Sequence, residues 1–172
     1  MARTARGDRD AFALVYARHA PPIMSFLAHA LADRGTAEDL CQETFVRAFR
    51  AAPRFRPGAP LAPWLFRIAR NLTATEFRRR RNARTEPLAH LQDRGSDPAA
   101  ATTELGPALA VALASLTERL RVAFVLVRMQ GQSYESAAAL LAVPVGTVKS
   151  RAAAAEAALR RRMAAFVRER SR

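Results

Sequence analysis

Between Ala52 and Arg81 the chain gathers side chains that could hold a nucleic-acid strand. Phe55 and Arg56 lie among four prolines, Pro53, Pro57, Pro60 and Pro63, and Trp64, the single tryptophan, follows at once. Arg67, Arg70, Asn71 and the run Arg78 to Arg81 come next. Alone, a run of four arginines reads equally as a solvated helix end. Beside a lone tryptophan and a phenylalanine on a stiff loop it reads as a surface for an unstacked strand, with arginines holding phosphates and aromatic faces taking bases.

Two other groups have the types and spacing for recognition. Gly146, Thr147, Lys149, Ser150 and Arg151 fall in the first turns of a segment preceded by Val143-Pro144, and before that by another short helical pattern. Two short helices joined by a tight turn, with polar residues opening the second, make a helix-turn-helix. Gly146 adds to this: a glycine inside a helix costs about 1 kcal/mol against alanine, and its presence points to close approach of another backbone, here DNA. The third group is Asp39, Gln42 and Glu43, which share the polar side of a helix over 36–50 with Arg50. That side alone reads as an ordinary solvated face.

The elements that position these groups follow from periodicity. Thr36 is placed to cap the 36–50 helix with Asp39 answering it, and Cys41, Phe45, Ala48 and Phe49 lay an apolar stripe along it. Before it, Asp10 to His19 reads as a helix punctuated by Pro21 and Pro22, and Ile23 to Leu31 resumes the pattern until Asp33-Arg34-Gly35. After it comes the proline-laced loop 52–63, extended and stiff, and a helix from Trp64 to Arg81. Residues 82–106, with Pro87, Gly95, Pro98 and Gly106, have linker composition. A helix over 107–130 is closed by Gly131; Ser133 caps Tyr134 to Ala142, and the last helix starts near Val145 with Val148, Ala152, Ala155 and Leu159 inward. The expected fold is all-α, two small helical domains joined by a flexible linker.

Charge and composition bound the function. Half of the 172 residues are hydrophobic, enough for cores, and the net charge is +13 with Lys149 the single lysine. The basic residues form two blocks, 15 against 7 acidic in 1–81 and 11 against 4 in 107–172, around an acidic connector with 2 against 4. Such a balance implies an anionic partner, nucleic acid or an anionic membrane surface. No helix pairs the arginines with a bulky lipid-facing stripe, and no apolar run reaches the ~18 residues of a membrane span. Cys41 is the only cysteine and the N-terminus has no h-region, so a reduced, cytoplasmic protein is expected. His19 and His29 have no metal-ligand partners in spacing, and the carboxylates are scattered or share one helix surface, so no metal, cofactor or catalytic group is expected. A free-standing helix-turn-helix regulator accounts for the second block but not for the aromatic loop and arginine helix of the first.

AEDLCQETFVRAFR, PWLFRIARN and SYESAAALLAVPVGTVKSR, in that order, resemble bacterial sigma factors of the extracytoplasmic-function group. The resemblance covers about residues 8–81 and 107–163. It implies a sigma-two domain over 8–81, a linker over 82–106 and a sigma-four domain over 107–172. It also implies that Asp39, Gln42 and Glu43 dock on the clamp of the largest subunit of core RNA polymerase. By the same likeness Phe55 and Asn71, with the loop between them, receive a base flipped from the minus-ten element, and Arg56, Trp64, Arg67, Arg70 and Arg78 belong to that surface. Gly146, Thr147, Lys149, Ser150 and Arg151 open the helix that enters the minus-thirty-five major groove. Promoter DNA and core polymerase are the implied partners, and an anti-sigma factor a further one. Thr75, Leu120, Ala154 and Glu156 depart from the family pattern; the last two remove positive charge from the groove face.

Overall fold

The computed structural model describes residues 1, 3–83 and 105–170. The regular elements among them are α1 (Arg9–Leu31), α2 (Arg34–Ala51), α3 (Leu61–Ala83), α4 (Leu105–Ala114), α5 (Glu118–Phe124), α6 (Tyr134–Leu141) and α7 (Val145–Arg170). Short 3-10 turns occupy Thr4–Arg6 and Ala52–Arg54, and a π turn spans Val125–Met129. The described residues are therefore all-α, as expected. The linker expected over 82–106 lies outside them except at its ends, where α3 continues through Ala83 and α4 starts at Leu105. By contacts the chain divides into two compact units. One holds Met1–Leu27 and the residues from Gly35 through α3; the other holds α4 to α7 with Ala28–Arg34.

In the first unit α1 runs unbroken through Pro21 and Pro22, against the expected interruption. An interior proline costs roughly 3 kcal/mol in lost hydrogen bonding and ring clash, whereas burying one large apolar side chain returns about 1.5–3 kcal/mol. Ile23, Phe26 and Leu27, just beyond the prolines, are all fully buried, and their burial outweighs the break. Phe26 packs edge to face on Phe66 of α3 with ring centroids 5.7 Å apart. Nearer the start of α1, Phe12 meets Phe49 at 5.1 Å and Tyr16 meets Phe45 at 4.7 Å, both edge to face, which fixes α1 on the apolar stripe of α2.

Helix α2 begins at Arg34, two residues before the expected start, so Thr36 lies inside the first turn and does not cap it. Its hydroxyl instead accepts a hydrogen bond from Arg80 Nη2 of α3 at 3.2 Å. A tertiary partner has taken the side chain that sequence assigned to a local role. Helix α3 likewise starts early, at Leu61, which places Pro63 in a first turn where its missing N–H costs nothing. The loop is thereby shortened to the 3-10 turn and six residues, Phe55 to Pro60, with a further turn closed by Ala59 N–H donating to Arg56 O at 3.1 Å.

In the second unit the single helix expected over 107–130 is three pieces. Thr117 is extended (φ −60°, ψ 149°) and breaks the run between α4 and α5, while the Ser115 hydroxyl turns back to donate to Ala112 O at 2.6 Å. The break lets Leu116 join Ala112, Leu113, Ala155 and Leu159 in a buried cluster with α7. The helix-turn-helix is as expected. Ser133 Oγ accepts from Ser136 N–H at 3.0 Å and caps α6, Ala142 closes it in the left-handed conformation (φ 53°), and Pro144 O accepts from the N–H groups of Thr147 and Val148 in the first turn of α7. Val148, Ala152, Ala155 and Leu159 are buried, so the inner face of α7 is the one periodicity predicted.

Candidate nucleic-acid interface

Helix α3 is sided by its own sequence. Leu65, Phe66, Ala69, Leu72, Thr73, Glu76 and Phe77 are buried, which leaves Arg67, Asn71, Thr75 and Arg78, spaced three or four apart, exposed on the opposite face. Trp64 falls one turn earlier on the same stripe and is half-buried, because Phe55 from the preceding loop stands edge-on to it with centroids 4.9 Å apart. The loop's 3-10 turn, closed by Phe55 N–H donating to Ala52 O at 3.1 Å, delivers the phenylalanine there. An aromatic pair thus heads a row of arginines.

Polar contacts tie the row together. Arg70 Nη1 donates to Asn71 Oδ1 at 3.1 Å, Arg78 Nη2 donates to the Thr75 hydroxyl at 3.1 Å, and that hydroxyl donates to Asn71 O at 3.1 Å. Arg56 is exposed on the loop. The structure thus brings Phe55 and Trp64 together and aligns Arg67, Asn71 and Arg78. Arg70 is half-buried beside the row.

The run Arg78 to Arg81 is not a uniform cationic end. Glu76, 8 % exposed, accepts from Arg79 Nε at 2.7 Å, from Arg79 Nη2 at 2.8 Å and from Arg80 Nε at 2.7 Å. The Arg79 guanidinium foremost, and Arg80 with it, holds the Glu76 carboxyl below its ordinary range against the opposing effect of burial. Two of the four arginines therefore serve one buried carboxylate, and Arg78 is left on the exposed stripe. Read by periodicity alone, the run shows no such pairing, although the arginines three and four residues after Glu76 are its signal.

On α2, Asp39 and Gln42 are exposed and Glu43 is partly so, with its carboxylate accepting from Arg47 Nε at 2.6 Å, one turn on. Gln42 borders an open groove of about 370 Å³ between Phe12 and Tyr16 of α1 and Phe45, Val46 and Phe49 of α2. The polar face is thus edged by apolar surface, which periodicity did not foresee because Tyr16 and Val46 are exposed.

On α7, Lys149 and Ser150 are exposed, Thr147 and Arg151 half-buried, and a Cβ at Gly146 would meet nothing within 4 Å beyond its own stretch of helix. The chain itself gives no packing reason for that glycine. Among the described residues no group of three or more histidine, cysteine, aspartate or glutamate side chains could hold a metal ion, and no helix is long and apolar enough to cross a membrane.

Residues 15–83 match Sigma-70 region 2, and residues 108–159 match Sigma-70, region 4. The chain is 34 % identical over 156 residues to the RNA polymerase sigma factor CarQ of Myxococcus xanthus, covering 88 % of each. This chain belongs to the extracytoplasmic-function sigma factors of the sigma-70 family. It is also 31 % identical to the RNA polymerase sigma-H factor of Pseudomonas aeruginosa, over 97 % of this sigma factor and 93 % of that one. Among solved structures it is similar to the sigma factor RpoE of Bartonella quintana in complex with the anti-sigma factor NepR, with TM-score 0.76, 29 % identity and coverage of 89 % and 96 %. It is also similar to CnrH in complex with the cytosolic domain of CnrY, with TM-score 0.71, 30 % identity and coverage of 95 % and 94 %.

Membership makes this sigma factor a transcription initiation factor and sets aside the free-standing regulator. Its departures from the family pattern now have surroundings. Thr75 links Arg78 to the Asn71 carbonyl, Leu120 packs half-buried against the α4–α7 cluster, and the Glu156 carboxylate accepts from Arg128 Nε. The negative charge at 156 is thus matched within the chain.

Proposed function

We propose that this sigma factor binds core RNA polymerase through the exposed polar face of α2, with Asp39, Gln42 and Glu43 against the clamp of the largest subunit. Phe55, Arg56, Trp64, Arg67, Arg70, Asn71 and Arg78 then hold the unpaired minus-ten strand. Gly146, Thr147, Lys149, Ser150 and Arg151 enter the major groove of the minus-thirty-five element. Capturing an extruded base offsets the cost of unpairing, so binding energy opens the duplex and no catalytic group or nucleotide cofactor of its own is needed. The observation that carries this reading is the exposed row Arg67-Asn71-Arg78 of α3, headed by the half-buried Phe55–Trp64 pair. That stripe has the stacking faces and phosphate-binding cations that a single strand requires.

The solved relatives in complex with anti-sigma factors support regulation of this chain by a protein of that kind, in the cytoplasm where polymerase works. The test is run-off transcription with purified bacterial core polymerase on promoter fragments from the same genome. New transcripts that depend on the protein and vanish with Gln42→Ala and Glu43→Ala are the expected result. Duplex binding without core binding or transcripts would overturn it.

A further inference from the structure

Three buried residues in succession, Val125, Leu126 and Val127, occupy the π turn after α5, and Arg128 is the first exposed position beyond them. Such π turns recur at functional sites. Arg128 Nε donates to the Glu156 carboxylate of α7. Glu156 lies two helical turns after Lys149, on the same side of α7. The Lys149 ammonium in turn stands 5.6 Å from the centroid of the Tyr134 ring. Glu156 is the main reason the Arg128 guanidinium holds its proton more firmly than usual, and Tyr134 contributes in the same direction.

Tyr134 is the first residue of α6, the leading helix of the helix-turn-helix. In that motif the leading helix crosses the DNA backbone while the second lies in the groove. We propose that Arg128 is a backbone-phosphate contact of this sigma factor, and that Glu156 restrains it by competing with the phosphate for the guanidinium. The proposal rests on the reading of α7 as the groove helix. Arg128 is about half exposed with Nε on the Glu156 carboxylate, so a second anion would take the Nη edge of its guanidinium. A guanidinium is suited to a phosphate on that edge while the carboxylate holds the other. An ion pair so open to water adds little to folding, which argues against a purely structural brace.

The test measures binding of the full chain to a short mixed-sequence duplex across a salt series, beside thermal unfolding. Arg128→Ala should lower the slope of log affinity against log salt by about 0.9, the value for one lost phosphate contact, with an unfolding midpoint close to wild type. Glu156→Gln should tighten binding with no loss of slope, since the arginine is kept and its competitor neutralised. If Glu156→Gln instead weakens binding in step with a lowered midpoint, the pair is a brace and the proposal fails. Lys149→Ala separates the two layers of the argument. An unchanged slope for Arg128→Ala while Lys149→Ala lowers it overturns this proposal alone; unchanged slopes for both overturn the reading of α7 as well.

Discussion

Phe55 and Trp64 stand edge to face with ring centroids 4.9 Å apart, joining the loop after α2 to the first turns of α3. Each ring positions the other, so a base that stacks on either one meets a face already fixed. Trp64→Ala should cost about 1–3 kcal/mol of single-strand binding, the usual value for a lost stacking face. Because the rings support each other, Phe55→Ala combined with Trp64→Ala should cost less than the two single losses added. Titration of a labelled non-template strand with holoenzyme measures both, and strict additivity would show the rings to be independent.

Glu76, the one carboxylate of α3, should contribute measurably to folding, since it is buried and bonded to both Arg79 and Arg80. Its folded pKa is depressed below the ordinary 4.5, so its contribution is complete above that value and is lost as pH falls through the folded one. Discounted for the exposure of its partners, Glu76→Gln should cost roughly 1–2 kcal/mol at neutral pH. Urea unfolding of both proteins should show that gap close in acid below the folded pKa. A gap that persists there would mean the loss is not electrostatic.

Gly146→Ala should separate folding from recognition. A Cβ there meets nothing within 4 Å beyond its own stretch of helix, and alanine favours helix over glycine by up to about 1 kcal/mol, so the unbound protein should be as stable as wild type or more so. Promoter binding should nevertheless weaken, because the added methyl stands where a DNA backbone would approach. Thermal unfolding beside promoter affinity checks the two halves. A variant that binds as well as wild type would remove the reason for reading this glycine as a point of approach.

Ala154 is exposed one turn beyond Arg151 on the outer face of α7. Ala154→Arg should strengthen promoter binding and steepen its salt dependence by about 0.9 in slope, as one added phosphate contact requires. Filter binding at several salt concentrations decides it, and an unchanged slope would place position 154 off the DNA.

Burial holds the Cys41 thiol in its protonated form by pushing its pKa upward. It should react with a maleimide only as fast as the protein opens, with the rate rising in step with denaturant-induced unfolding. Fast labelling of the native protein at neutral pH would contradict that burial.

Sequence alone determined the all-α class, the apolar faces of α2 and α7, the Ser133 cap and the Val143-Pro144 turn. Each depends on spacing within one element or on a residue's own backbone preference, and both are written locally. It also singled out Trp64, Arg67, Asn71 and Arg78 by their types, although not the side of α3 on which each one lies. Tertiary structure decided what depends on a second element. It carried α1 through Pro21 and Pro22 by burying the residues after them, and it turned Thr36 from a cap into a partner of Arg80. It broke the 107–130 helix so that Leu116 could reach the cluster with α7, divided the arginine run around Glu76, and set Glu156 against Arg128. These outcomes lie outside the reach of periodicity, because each balances a local cost against a contact with residues distant in the chain.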